Sequence, residues 1–328
     1  MSKGGEIVLY PQTADLAALA PQLEAAKEYI LAGVPKNTQR AYASDWSDFS
    51  GWCADKKCAP LPANPQAIVA YLSDQARDKK ASTLRRRLAA IAKMHSIKGQ
   101  PNPCSTEIVK ATMRGIEATL GTRTTGKAPV THEALAKMIA GFGNRTDLDT
   151  LRSKALLLVG FAGAFRRSEL CALQMTDLTW SPEGVVILVR KSKTDQRGEG
   201  LQKAIPYVGG PMCAAGALAA WVRACGVGNG PVFRALGRDG TVSARAITDQ
   251  SVALIVKGAA ARVGIDPSTV AGHSLRAGHV TEARSRGVAD AATMQTTGHK
   301  RVETLEMYDR RNNPFSKGSA ANVLRSRE

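Results

Sequence analysis

The stretch TGHKRVETLEMYDRR puts a tyrosine, Tyr308, nine positions after a histidine, His299, with basic residues at both ends. A phenol with a pKa near ~10 becomes a nucleophile only where neighbouring groups favour its anion. Further up the chain, AGHSLRAGHV sets His273 and Arg276 three apart, on one side of a helix or its N-terminus, where an anion is favoured. FAGAFRRSELCAL runs an apolar segment into Arg166 and Arg167, followed by Ser168 and Glu169. An arginine there offers a planar fork to a phosphate, with Glu169 to orient it. VRKSKTDQ supplies Lys193, with Lys191 and Lys203 as alternatives for the same role. A nucleophile, several cationic donors and imidazoles are the groups that metal-free phosphoryl transfer requires. Each group also has a plainer reading: an Arg–Glu pair at a helix start, a surface His–Arg pair, a packed tyrosine, solvated lysines.

The rest of the sequence narrows the chemistry. There is no G-x-x-x-x-G-K-[ST] loop, no G-x-G-x-x-G after a strand, and no acidic cluster suited to paired Mg²⁺. His273, His279 and His299 have no carboxylate or cysteine at ligand spacing, so neither metal nor cofactor is expected. Six scattered cysteines, of which only Cys53 and Cys58 are close, read as free thiols. The net charge of +17 over 328 residues, with a pI near 9.9, calls for a polyanionic partner. Nucleic acid comes first and an acidic membrane surface second. No apolar run reaches the ~20 residues that span a bilayer, and MSKGGEIVLYPQ lacks a basic-then-apolar leader, so the expected location is the cytoplasm.

The elements that must position these groups fall into two parts. Through about residue 121 the sequence reads as helices. ADLAALAPQLEAAKEYILAG is amphipathic, and PKNTQRAYASDWSDFSGWCADKK spaces Tyr42, Trp46, Phe49 and Cys53 for one face. NPQAIVAYLSDQARDKK starts with proline just inside a helix, and STLRRRLAAIAKMHSI has Ser82 as its expected cap. STEIVKATMRGIEATLG closes this part. TRTTGKAPV has no apolar period and reads as a linker over 122–130. Thr131 should cap THEALAKMIAGF, and LRSKALLLVGFAGAF should be a long buried helix. GVVILVRKSK and LQKAIPYV form the expected hairpin, and from PMCAAGALAAWVRACG onwards the chain reads as helical again. The fold class is therefore mainly α with a small β-hairpin, α+β.

Taken in order, Arg-x-Ser-Glu-Leu, a lysine-bearing hairpin, His-x-Leu-Arg, and Gly-His with tyrosine nine later resemble the tyrosine recombinases, the phage integrase family. The likeness spans essentially the whole chain. It implies an N-terminal helical-bundle, core-DNA-binding domain over 1–121 and an integrase-type catalytic domain with a C-terminal tail over 131–328, a simple two-domain, Cre-type layout. Carried over, Tyr308 is the nucleophile, with Arg166, Lys193, His273, Arg276 and His299 catalytic and Glu169 in support. Arg167 leaves a one-residue ambiguity beside Arg166. Ala164 stands where the family often has glycine, and Thr297 where leucine is common. The resemblance further implies a site-specific recombinase that forms a 3′-phosphotyrosyl intermediate without metal or ATP. It also implies a homotetramer on two DNA sites whose C-terminal tails dock on neighbouring protomers. Arg85, Arg86, Arg87 and Lys93 are the candidate DNA contacts of the STLRRRLAAI helix. A type IB topoisomerase-like enzyme and a non-catalytic DNA-binding protein on the same scaffold are the alternatives.

Overall fold

The computed structural model describes residues 21–22, 33–34, 36–122, 126–190, 192 and 200–306, and the chain divides into two compact units, Met1–Thr124 and Thr125–Glu328. The amphipathic segment expected over 14–33 lies outside the described residues except for Pro21, Gln22 and Gly33. So do the hairpin tip with Lys191 and Lys193 and the C-terminal stretch with Tyr308.

The first unit holds four α-helices among the described residues: α1 (Lys36–Asp55), α2 (Pro65–Gln75), α3 (Ala81–Ile97) and α4 (Glu107–Leu120). α2 starts as its sequence dictates. Asn64 accepts from the Gln66 backbone N–H, and Pro65 occupies a position whose own N–H would go unused. α3 starts one residue before the expected Ser82 cap. Its first backbone bonds run from Thr83 and Leu84 to the Lys80 carbonyl, so Ser82 lies inside the first turn. Phe49, Ile68, Tyr71, Leu72, Leu84 and Ile91 form the core. His95 completes the apolar face of α3 as a satisfied core imidazole, Nδ1 donating to Ile91 O at 2.8 Å and Nε2 accepting from Ala63 N at 2.9 Å.

The second unit opens with α5 (His132–Ala140), capped by Thr131 Oγ1 as expected, and α6 (Leu148–Ala162). α6 starts three residues earlier than the LRSKALLL run suggests, because Asp147 accepts from Thr150 N and captures an extra turn. Its Ala155–Val159 stretch is buried all round, making it the central helix. α7 (Arg167–Ala172) follows, then β1 (Leu178–Ser181), β2 (Gly184–Val189) and β3 (Leu201–Pro206) in one antiparallel sheet. The expected hairpin is β2–β3, with Val185 opposite Ile205 and Ile187 opposite Lys203; β1, pairing Leu178 with Ile187, is additional.

After α8 (Ala214–Cys225) the expectation of continuous helix fails. β4 (Arg234–Leu236) and β5 (Val242–Ala246) form a second hairpin before α9 (Asp249–Arg262). The Asp239–Gly240 turn signals it: Gly240 has φ +81°, and the Asp239 carboxylate accepts from Thr241 N and Oγ1. α10 (Ser274–Ser285), α11 (Asp290–Thr297) and α12 (Val302–Glu306) finish the described chain. The architecture is mainly helical with two small antiparallel sheets. No described helix is long and apolar enough to cross a membrane.

α10 is seated by two glycines. A Cβ at Gly278 would lie 1.8 Å from Val130 O, and one at Gly160 on α6 would lie 2.8 Å from Leu275 Cδ1. The Val130 N–H in turn donates to Ser274 O at 2.9 Å. Gly278→Ala pushes against backbone, which cannot swing aside. It should cost near the upper end of the ~1–3 kcal/mol of overpacking, a drop of several degrees in Tm for a unit of this size. Thermal unfolding beside the mild control Gly258→Ala, where a Cβ meets nothing within 4 Å, checks this.

Candidate active site

The site is built around the turn that ends α6. Gly163 terminates the helix, its N–H donating to Val159 O, and the Phe165 ring then folds back beneath it, where a Cβ on residue 163 would come within 2.3 Å. Ala164 takes φ +47°, a left-handed backbone that costs an L-residue roughly 1–2 kcal/mol. This is the position where the resemblance leads one to expect glycine. Glycine would relieve the strain but forfeit a buried methyl worth about 0.8 kcal/mol and some chain entropy, so the two choices nearly balance. The turn leaves two consecutive carbonyls facing inward. Gly163 O accepts from Lys203 Nζ at 2.6 Å, and Ala164 O accepts from Arg276 Nη1 at 2.7 Å.

Arg166 follows as the cap residue of α7. The Glu169 carboxylate grips it twice, from Arg166 N (2.9 Å) and from Arg166 Nη1 (2.6 Å). Glu169 is buried, so the guanidinium is held in a fixed direction rather than sampling rotamers. Of the adjacent arginines, Arg166 lies close enough to act electrostatically on His299 and Lys203. Arg167 is exposed and lays its aliphatic carbons over Gly272.

Arg276, in the first turn of α10, is 0% exposed. Besides Ala164 O it donates Nη2 to Thr297 O at 2.7 Å and meets His299 Nε2 at 2.8 Å. Thr297 ends α11, and Gly298, at φ +70°, makes the left-handed turn that brings the Thr297 carbonyl and the His299 ring to one guanidinium. Thr297 fits this buried position because its hydroxyl donates back to Thr293 O at 2.8 Å. An arginine has only donors, so His299 Nε2 accepts and the ring proton is assigned to Nδ1. Burial, then Arg276, Arg166, His273 and Lys203, push the His299 pKa down to about 4, and the ring is neutral at ordinary pH. His273 is exposed at the cap position of α10, within electrostatic reach of His299.

Four of the predicted residues thus converge with Glu169: Arg166, His273, Arg276 and His299. Lys193 and Tyr308 lie outside the described residues. Lys203, weighed in the sequence only as an alternative hairpin lysine, is buried among the cluster. Two guanidiniums, two imidazoles and one carboxylate make a preorganised, net-positive surface for a phosphoryl anion. No group of three His, Cys, Asp or Glu among the described residues could hold a metal ion.

The predicted DNA contacts in the first unit separate. Arg85 is 68% exposed and pairs with Glu117; Arg86 pairs with Asp45 Oδ1 at 3.0 Å with half of its side chain exposed; Lys93 is half-buried. Arg87 corrects the expectation. It is only 6% exposed, its Nη1 donating to Tyr71 Oη (2.8 Å) and Gln75 Oε1 (2.6 Å) and its Nη2 to Asp48 Oδ2 (2.8 Å). Arg87 stands three after Leu84 and four before Ile91, the spacing of the apolar face, and that spacing is the signal that marks it as internal.

The comparisons with known proteins follow the same division. Residues 130–314 match the phage integrase family, and residues 28–99 match its N-terminal SAM-like domain. An integrase/recombinase xerD homolog of Selenomonas ruminantium is 41% identical over 303 residues, covering 91% of this chain and 88% of the relative. Among solved structures, the Tn1549 transposon integrase in complex with transposon right end DNA superposes with a TM-score of 0.61 at 16% identity, over 92% of this chain and 98% of that one. A lambda integrase dimer bound to a COC′ core site gives 0.58 at 18% identity, over 88% and 94%. The fold agrees with both. A family match over more than half of the length, with a relative this similar, shows that the chain belongs to the phage integrase family, the tyrosine recombinases, enzymes that cut and rejoin DNA.

Proposed function

We propose that this recombinase cleaves a DNA strand by attack of Tyr308 on a phosphodiester. The phenol oxygen bonds to phosphorus, the 5′-oxygen leaves, and the products are a 3′-phosphotyrosyl link and a free 5′-hydroxyl. His273, on the rim of the site, takes the phenol proton, and Lys193 returns one to the departing oxygen. Arg166 and Arg276, with the His299 ring held beside them, neutralise the charge that builds on the phosphoryl oxygens. Because the ester is kept in the protein link, a 5′-hydroxyl from a second duplex can reverse the step without ATP, and no step needs a metal.

The observation that carries this reading is that Arg276, held by the carbonyls of Ala164 and Thr297, meets the His299 ring, on which Arg166, fixed by Glu169, also acts. Residues 1–121 act as the core-DNA-binding domain, 122–130 as the linker and 131–328 as the catalytic domain. Arg85, Arg86 and Lys93 supply phosphate contacts. The working unit is a homotetramer on two duplexes with the C-terminal tails docked in trans, and the protein acts in the cytoplasm on the nucleoid.

The test is incubation with a library of nicked duplexes in EDTA. A protein–DNA adduct that survives SDS is expected, and sequencing the trapped strands names the site. A protein that binds particular duplexes of the library yet forms no adduct would leave a DNA-binding scaffold in place of the mechanism.

A further inference from the structure

β3 alternates regularly: Gln202, Ala204 and Pro206 face out, while Lys203 and Ile205 face in. An inward position on a strand ordinarily takes an apolar side chain. Lys203 is instead a cation 3% exposed, opposite the buried Ile187. Its Nζ donates to Gly163 O at 2.6 Å and lies 4.5 Å from the centre of the Phe165 ring. The charged groups acting on it come from several directions: Glu169 on α7, Arg166 at its cap, and Arg276 on α10. Lys203 acts in turn on His299 beyond α11 and His279 on α10. Burial, helped by Arg276 and Arg166 and opposed by Glu169, pushes the ammonium down to about 7. A buried cation in such company is costly to the fold, and an apolar residue of similar volume would trade that cost against the bond to Gly163 O. Stability alone therefore does not explain the lysine.

Its contact does. Gly163 and Ala164 are neighbours, and their carbonyls hold Lys203 and Arg276 respectively. The same turn leads directly into Arg166. We propose that Lys203 is a positioning residue for DNA cleavage, a buried cation that pins the Gly163–Ala164 turn to the hairpin strand and, through the Ala164 carbonyl, sets where Arg276 presents its guanidinium. This rests on the reading of the cluster as the cleavage site. A phosphodiester arriving at Arg166 and Arg276 adds negative charge, which favours the charged amine. The competent complex is thus formed with Lys203 protonated. In the free enzyme that form is complete below about 7 and is lost as pH rises through it, so cleavage under limiting DNA, which reports free-enzyme ionisations, should fall across that range.

The experiment compares the full-length wild type with Lys203→Met and Lys203→Arg. It measures single-turnover adduct formation and duplex binding from about pH 6 to about pH 9, on a duplex that the wild type cleaves. Lys203→Met should bind within about threefold of wild type, melt within a few degrees of it, and cleave at least about tenfold more slowly without the break near 7. Lys203→Arg, always charged, should recover most of the rate, also without the break. A methionine variant that cleaves within about twofold of wild type with the same pH profile overturns the proposal. If the methionine variant fails to fold, the arginine variant decides: a break near 7 that persists with arginine overturns it, and its disappearance supports it. A wild type that forms no adduct on any duplex it binds overturns the reading of the site, and this proposal with it.

Discussion

Tyr308→Phe is expected to bind its duplex within about threefold of wild type and to form no covalent adduct, a loss on the order of 10⁶ in rate. The substitution removes one oxygen and leaves every cation of the site in place, so the phosphate is still held. What disappears is the oxygen assigned to attack phosphorus. Of the described cluster, His273 is assigned to take the phenol proton. Arg166 and Arg276 are donors only, and the neutral His299 has its Nε2 committed to Arg276. Cys171 lies on α7, the helix capped by Arg166, but burial pushes its thiol up to about 12, with Asp249 adding to the shift, so it is no thiolate at neutral pH. Tyr207, just beyond β3, is exposed. Peptide mapping of the wild-type adduct is the second half of the measurement. DNA attached at Tyr207, or an adduct in Tyr308→Phe, would move the nucleophile and with it the assignment of the C-terminal stretch.

The phenylalanine protein also separates positioning from chemistry. Affinity should fall steeply with salt, as counterions released from phosphates drive binding by a chain of net charge +17, and the slope should match that of wild type. A changed slope would show that Tyr308 shapes the DNA contacts and is not only the attacking group.

Much of the site was legible because its residues sit at fixed local spacings. Arg166 and Glu169 are three apart across a helix start, and His273 and Arg276 are three apart at another, so local geometry alone faces each pair the same way. Helix starts with a strong chemical signal, Asn64–Pro65 and Thr131, were readable for the same reason. The long-range relations were not. Nothing local says that the Gly163 and Ala164 carbonyls, over a hundred residues before Arg276 in the case of Ala164, are its partners and those of Lys203. The positive φ of Ala164 is hidden because alanine gives no sign of a left-handed turn. Arg87 was misread because a charge run draws attention to its charge, whereas its place in the Leu84–Ile91 face depends on acceptors from α1 and α2, Asp48, Tyr71 and Gln75. β4 and β5, of three and five residues, are too short for a period to show, and only their Asp–Gly turn marks them.

Arg276→Lys should keep the charge and lose the reaction. It is expected to slow adduct formation by about 10²–10³-fold, roughly 2.7–4 kcal/mol of transition-state stabilisation, with duplex affinity changed only a few-fold. The reason lies in the spread of its partners. Ala164 O, Thr297 O and His299 Nε2 come from the α6–α7 turn, the end of α11 and the residue after Gly298, and the guanidinium reaches all three because its nitrogens diverge in a plane. An ammonium is a point on a flexible stem and cannot donate in those directions while also facing a phosphate. Whichever carbonyl it abandons is left buried and unsatisfied at about 1–3 kcal/mol, so the variant should also unfold at lower denaturant. Single-turnover rates, gel-shift affinities and urea melts on the same preparations separate the two effects. If charge were the only requirement, lysine would cleave at nearly the wild-type rate even in a less stable protein. That outcome would remove the reason for α11 to end in a left-handed glycine that delivers a carbonyl and an imidazole to one side chain.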